Sequence, residues 1–236
     1  MYKKFKFKHK ETIVTILVEE DNYYNVVVDA IFTARKAIES MIRKDPFFQI
    51  TLEPYECKGF IVGRMCQASK IAGVGPMASV AGVIAQYAVE RAVEEGANFI
   101  VVDNGGDIAM YLDRPLRIGL FTYHQKLCFE IDQRGFYAVC TSSGTIGHSI
   151  SFGFADSATI FARDACIADA FATALCNEIK EDFGKEDIEK TLKFFWKKAK
   201  EHILGAVVVK RDMIGLVGEI PKIVKGEVRP DLITKG

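Results

Sequence analysis

Residues Val101–Leu112 read VVDNGGDIAMYL. Two apolar runs flank Asp103, Asn104, Gly105, Gly106 and Asp107, so adjacent glycines lie between carboxylates. Asn-Gly between apolar runs is a strong short-range hairpin signal. Glycine also lets bare backbone approach a ligand closely, so a ligand-contacting loop is the alternative. The stretch leaves both open. In either case it predicts a strand at Phe99–Val102 and another at Ile108–Leu112.

The preceding segment, residues 71–96, is IAGVGPMASVAGVIAQYAVERAVEEG. Gly73 and Gly75 loosen the backbone, and Pro76 suits a first helical turn. A helix is expected from there to about Glu95, capped by Gly96. Its start carries the small residues Ala78, Ser79, Ala81 and Gly82. Small side chains permit close approach by backbone or ligand, and a helix amino terminus attracts anions. A tight loop packed under a sheet explains the segment equally well.

Further out, Lys3–His9 and residues 11–19 read as two strands of a hairpin. In the first, lysines alternate with Phe5, Phe7 and His9. In the second, Val14, Ile16 and Val18 line one face. Tyr24–Arg43 has helical spacing of Val27, Ile31, Ala34, Ile38 and Met41, and Asp45-Pro46 ends it. Phe47–Leu52 reads as a short strand. Further strands are expected at Arg117–Phe121, Leu127–Ile131, Phe136–Cys140 and Ala158–Phe161. Helices follow at residues 164–179 and Asp182–His202, then a hairpin over residues 205–220 turning at Lys210, Arg211 and Asp212. Hairpins outnumber βαβ crossovers, so the class is α+β rather than doubly wound. No linker or low-complexity stretch divides residues 1–236, which read as a single domain.

The chain has 31 basic and 31 acidic residues, with 49% apolar and 26% charged. This composition supports a substantial core, and the charge balance offers no reason to expect nucleic acid as a partner. No apolar stretch spans a bilayer and no signal peptide is visible, so a cytoplasmic protein without a membrane partner is expected. The six cysteines form no CxxC pair and no zinc spacing. Reduced core thiols are the expectation for all six.

Three segments carry polar chemistry. In ADAFATA, Asp169 and Thr173 stand four residues apart on one helical face. Two oxygen ligands so placed suit a hard cation such as magnesium. Alone, the pair equally fits a solvated face, but its neighbours are nearly all apolar. A buried carboxylate needs a partner, whether metal, backbone amides or lysine. In TSSGTIGHS, Thr141, Ser142, Ser143 and Gly144 would cradle phosphate through hydroxyls and amides, and His148 adds a proton donor or acceptor. A polar turn is the bland alternative, and neither a P-loop nor a nucleophile elbow is present. The third segment is VGPMASVAG.

The order AQYAVERA, VVDNGGDIA, AVCTSSGTIGHS and ADAFATA resembles the ApbE superfamily of FAD:protein FMN transferases. The resemblance covers about Gly73 to Asn177. VGPMASVAG, NGGDI, CTSSGTIGHS and FADS, with ETIVTILVE and DPFF, resemble more closely an uncharacterised archaeal and bacterial branch. The resemblance implies a T-fold-like, mostly antiparallel architecture with helices on one face, and two pseudo-repeated halves with the cleft between them. It implies that Asn104, Gly105, Gly106 and Asp107 help form a pocket for FAD or FMN. Thr141, Ser142, Ser143 and Gly144 would lie near the phosphates, with His148 catalytic. Asp169 and Thr173 would match the magnesium ligands, with a carbonyl near Ala81 to Val83 as a third. The implied partner is a small-molecule dinucleotide or flavin, and the implied assembly a homodimer.

Two departures stand out. Gln86 occupies the place where the transferases usually carry lysine, and Ser149 to Gly153 replace their Asp-Pro run. The pocket is thus expected to persist while the reaction has changed. Magnesium-dependent FMN transfer, FAD pyrophosphate cleavage, non-catalytic flavin or nucleotide binding, and an accessory role in sulfur metabolism are the competing implications.

Overall fold

Strand β1 (Lys3–His9) pairs antiparallel with β2 (Thr12–Val18), as the alternating phenylalanines and β-branched residues require. Their apolar side meets helix α1 (Asn22–Lys44), where Val27, Ala30, Ile31, Ala34 and Ile38 are buried at helical spacing. The computed structural model describes residues 2–121, 126–144 and 153–225.

Strands β3 (Ile100–Asn104), β4 (Asp107–Leu112), β7 (Gly135–Ser142), β8 (Ser157–Ala162), β9 (Gly205–Lys210) and β10 (Met213–Gly218) join β1 and β2 in one sheet. Its order is β1-β2-β3-β4-β7-β8-β9-β10, with every pairing antiparallel. Strands β5 (Leu116–Phe121), β6 (Lys126–Ile131) and β11 (Lys222–Val224) form a second sheet in the order β11-β6-β5.

Alternation along the strands separates two cores. Ile100 and Val102 of β3 pack with the helices α4 (Val80–Glu94) and α5 (Ala165–Glu178). Phe99 and Val101 point the other way and join Phe129 and Ile131 of the small sheet. The molecule is therefore three layers: helices, the large sheet, and the small sheet. This is the expected mostly antiparallel α+β architecture with helices on one face. The covering of the second face by β5, β6 and β11 is an addition to it.

Three expectations need correction. Phe47–Leu52 is no strand: α2 (Phe47–Ile50) is one helical turn, started by Pro46 and by the Phe47 amide donating to Asp45 Oδ1 at 3.1 Å. Helix α3 (Phe60–Ala72) was not anticipated. It packs against α1, α4 and α5 through one face, where Ile61, Val62, Met65, Cys66, Ala68 and Ser69 are buried at helical spacing. Finally, not all six cysteines are reduced. Cys57 and Cys66 form a disulfide with Cα atoms 6.0 Å apart, because the segment before α3 folds back along that helix. Cys128, Cys140, Cys166 and Cys176 are free and buried. Among the described residues, no single helix is long and apolar enough to cross a membrane.

The polar end of the helical layer is closed by helix α6 (Lys185–Ala199) and the turn before it. Lys210, at the end of β9, is buried and donates to the carbonyls of Lys180, Glu181 and Phe183 at 2.7, 2.7 and 2.9 Å. This ammonium fastens the α5–α6 connection to the sheet.

Candidate functional site

The DNGGD stretch is a two-residue hairpin in which Asn104 pairs with Asp107. Gly105 and Gly106 have φ of 71° and 104°. Positive φ at both central positions marks the turn whose twist suits a hairpin, and it favours glycine at each. Asp103 Oδ1 accepts from the Gly106 amide at 2.9 Å. A methyl group built at either glycine meets no described atom within 4 Å. Turn conformation accounts for the positive φ of both glycines, and the residues beside them make the side-chain contacts.

Asn104 and Asp107 lie on the helix-facing side of the sheet. Asn104 Nδ2 donates to Ala81 O at 3.1 Å, tying the hairpin to the start of α4. From α5, Asp169 Oδ2 accepts from the Gly82 amide at 2.8 Å and also receives the Ala81 amide. Asp169 therefore occupies the positive end of α4 as an internal anion. The contact is close: a Cβ at Gly82 would stand 2.2 Å from Ala165 O and 2.7 Å from Asp169 Cβ. Glycine here allows two helix backbones to meet, which accounts for the small residues at the head of α4.

Asp107 is the second carboxylate. It receives the Thr141 amide and the Cys140 thiol. Its Oδ1 is closed off from solvent without a hydrogen-bond partner among the described residues. Burial pushes the Asp107 carboxyl well up, and the charges of Asp169 and Asp103 push it further. Burial pushes Asp169 up to about 7 against the opposing pull of the Gly82 and Ala81 amides. The neighbouring Cys140 thiol, whose Sγ is also 3.4 Å from Ala165 O, is raised by burial and then by Asp107 and Asp169. Two acidic groups facing each other in a closed site favour a proton or a cation between them.

The other expected site residues divide. Thr173 is half-buried one turn beyond Asp169. Thr141 offers its amide to Asp107, but its hydroxyl meets Thr159 Oγ1 at 2.9 Å. That pair belongs to the face turned toward the small sheet. Ser142 alternates onto the helix side, where its buried hydroxyl has no partner among the described residues. Ser143 is half-buried, and the Gly144 amide donates to Ala155 O at 3.0 Å. His148 lies outside the described residues.

Gln86 has an assigned task. Its Oε1 accepts from the Ala165 amide at 2.9 Å, and its Nε2 donates to Glu90 Oε1 at 3.0 Å. Arg64 of α3 grips both Glu90 oxygens at 2.7 and 2.9 Å and Asp164 Oδ2 at 2.8 Å. Asp164 in turn caps α5 through Ile167 N. This network, and the placing of Cys140 beside Asp107, went unread in the sequence. Both depend on strand register and helix contacts that no local motif encodes.

The donors gathered here are hard oxygens: the Asp107 and Asp169 carboxylates, the Ala81 carbonyl and, one turn along, the Thr173 hydroxyl. They fit magnesium better than a thiophilic metal. Among the described residues there is no group of three or more His, Cys, Asp or Glu placed to hold a metal, so the carboxylate share is two.

This antiparallel three-layer α+β fold is the one shared by ApbE-like proteins. The comparisons agree. The family model described as AbpE bacteria matches residues 1–214, and the chain belongs to that family. It is 52% identical over 235 residues to a UPF0280 protein of Archaeoglobus fulgidus, covering 99% of this chain and 100% of the relative. A UPF0280 protein of Methanosarcina barkeri is 44% identical, with 97% and 92% covered. Among solved structures, the flavin transferase ApbE from Vibrio cholerae superposes with a TM-score of 0.61 at 14% identity, covering 92% of this chain and 96% of that one. The ApbE protein from Thermotoga maritima gives 0.57 at 13% identity, with both chains covered completely. At these identities the structures establish the fold.

Proposed function

We propose that this protein binds a flavin dinucleotide such as FAD and acts on its pyrophosphate with magnesium. The observation that supports the reading most is the Asp107–Asp169 pair, Asp169 buried and Asp107 half-buried, with the enclosed Asp107 Oδ1 left unpartnered among the described residues. Asp107 and Asp169, with Thr173 and the Ala81 carbonyl, would hold the cation. When bound, magnesium would offset the negative charge that builds on the pyrophosphate oxygens.

The chain's own part is to position and to move a proton. Asn104 holds the hairpin against α4, so Asp107 and Asp169 face each other at fixed spacing. Ser142 and Ser143 supply hydroxyl contacts to phosphate on the loop that Gly144 ties to Ala155, and His148 is assigned the proton transfer. An acceptor hydroxyl or water loses its proton to that base as its oxygen bonds to the flavin-side phosphorus. The bond from that phosphorus to the bridging oxygen breaks, and AMP leaves with the electron pair. With a protein hydroxyl the product is an FMN ester; with water it is free FMN.

Gln86 favours a second reading. Both ends of its amide are engaged, and it brings no positive charge to the pyrophosphate. Binding without turnover is the alternative that follows.

The test is FAD with and without magnesium, followed by chromatography for FMN and AMP and by quenching of flavin fluorescence. Magnesium-dependent AMP release, lost in Asp169→Asn, is the expected result. Tight binding without release selects the second reading. No flavin binding under either condition overturns both.

A further inference from the structure

The two edges of the large sheet differ in kind. Strand β1 is one edge and β10 the other. β1 carries four lysines among its seven residues. Charges so placed discourage another strand from pairing there. β10 reads MIGLVG, with no charged residue and no proline. Among the described residues, no strand pairs with its outer side.

Register fixes what that outer side offers. Met213 pairs with Lys210 across a two-residue turn, which makes them a hydrogen-bonded pair. Bonded and non-bonded pairs alternate along an antiparallel ladder. The backbone groups of Met213, Gly215 and Val217 therefore face β9, and those of Ile214 and Leu216 face outward. The side chains alternate as well. Gly215 lies under α6: a Cβ there would stand 2.5 Å from Leu192 Cδ1 and 2.8 Å from Ile188 Cγ2. Ile214 and Leu216 take the opposite face and are 40% and 49% exposed. Outward backbone groups and exposed apolar side chains thus belong to the same two residues.

Such an edge is complementary to itself. Turned about a twofold axis at Gly215, a second β10 meets the first antiparallel. Ile214 then stands opposite Leu216 of the second copy, and Leu216 opposite its Ile214. Both are bonded pairs, in which each residue exchanges its N–H and C=O with the one it faces. Their side chains cover each other on one face. The exposed Arg211 of each copy is carried toward the exposed Glu219 of the other, a meeting of opposite charges. Pairing of β10 with β1 of another copy would instead build an open row of molecules, and the β1 lysines oppose it.

We propose that β10 is a self-association edge, through which two copies of this chain pair about a twofold axis at Gly215 and join their large sheets into one.

Gel filtration with light scattering over a wide range of concentration tests the association. The native chain is expected to approach twice the mass of one chain as concentration rises. Leu216→Lys places an ammonium opposite Ile214 of the second copy and should weaken association about tenfold or more. The side chain is half exposed, and a melting curve confirms that the variant folds. Cysteines test the register. Residues opposed in a bonded pair stand about 5.5 Å apart at Cα, within disulfide reach. Like positions are offset by two residues along the strand and fall outside it. An equal mixture of Ile214→Cys and Leu216→Cys under oxidised glutathione should therefore give a covalent pair with one of each. Either variant alone, like the native chain, should give little. A single-chain mass at every concentration overturns the proposal and leaves the edge to a strand of a different protein. Association that Leu216→Lys keeps, or cross-linking no faster in the mixture than in the single variants, overturns it too.

Discussion

Asp107 shows how one residue's surroundings set its chemistry. Its carboxyl is raised by burial first and by Asp169 and Asp103 next, while the Thr141 amide and Cys140 thiol pull the other way. A carboxyl whose folded pKa stands above its unfolded value is neutral in both states at low pH. As pH rises, the unfolded chain ionises first, so folded stability falls through the interval between the two values. For Asp169 that interval runs from about 3.8 to about 7. Asp107→Asn removes one of the facing charges and keeps an oxygen for the Thr141 amide. Urea unfolding with a chelator present should show the variant equal to the native chain near pH 4. By pH 8 the variant should be more stable by about 2 kcal/mol. A difference that does not change with pH would mean that the two carboxylates do not confront each other. The residue types of this site were legible in the sequence, since Asp169 stood out as a carboxylate in an apolar helix. Its tie to the Gly82 and Ala81 amides was not legible, because amides have no sequence signature. The side of the sheet taken by Thr141 depends on its register with Thr159. A shift by one residue would exchange its role with that of Ser142.

Among the elements, α1 and the β3–β4 hairpin were readable because apolar period and turn chemistry agree in them. Helix α3 hid because its contrast is weak: apolar Phe60 and Ile71 stand on its outer side, while small Cys66, Ala68 and Ser69 share the buried one. The turn at α2 hid because Asp45 and Pro46 begin a new helical turn as they end α1. The joint between α5 and α6 shows an element held from outside. Three carbonyls that follow α5 lie outside its helical ladder, and Lys210 donates to all three, sharing that of Lys180 with the Phe183 amide. Lys210→Met keeps the length and apolar stem but takes the shared donor from those carbonyls and leaves the connection untied from the sheet. A loss of about 2–4 kcal/mol is expected in urea unfolding. Faster amide exchange should appear around Lys180 to Phe183. Unchanged exchange there would show that the connection holds without its ammonium.

At the scale of the whole molecule, the large sheet separates the polar site from a purely packed core. Every site residue named on β3, β4 and β7 borrows its orientation from strand alternation, and the small sheet closes the face behind them. Alternation and the excess of hairpins over βαβ crossovers in the sequence were enough for the fold class. The second sheet was harder to read, because β11 reaches β6 from the far end of the described chain. The Cys57–Cys66 cross-link closes a short loop, with a separation of nine residues, against the helical layer. A loop of that size restricts the unfolded chain by about 2.5 kcal/mol. Reduction should therefore lower the melting temperature, while Cys57→Ser/Cys66→Ser should melt at the reduced value with or without reductant. Equal melting of the oxidised and reduced native chain would contradict the bridge. The network joining Arg64, Glu90, Gln86 and Asp164 has a further consequence for position 86. A lysine at position 86 would offer only donors to the Ala165 amide, itself a donor, and would leave that amide unanswered. Gln86 is thus a two-sided coupler: its oxygen answers the head of α5 and its nitrogen answers Glu90, so a substitution here disturbs three helices at once.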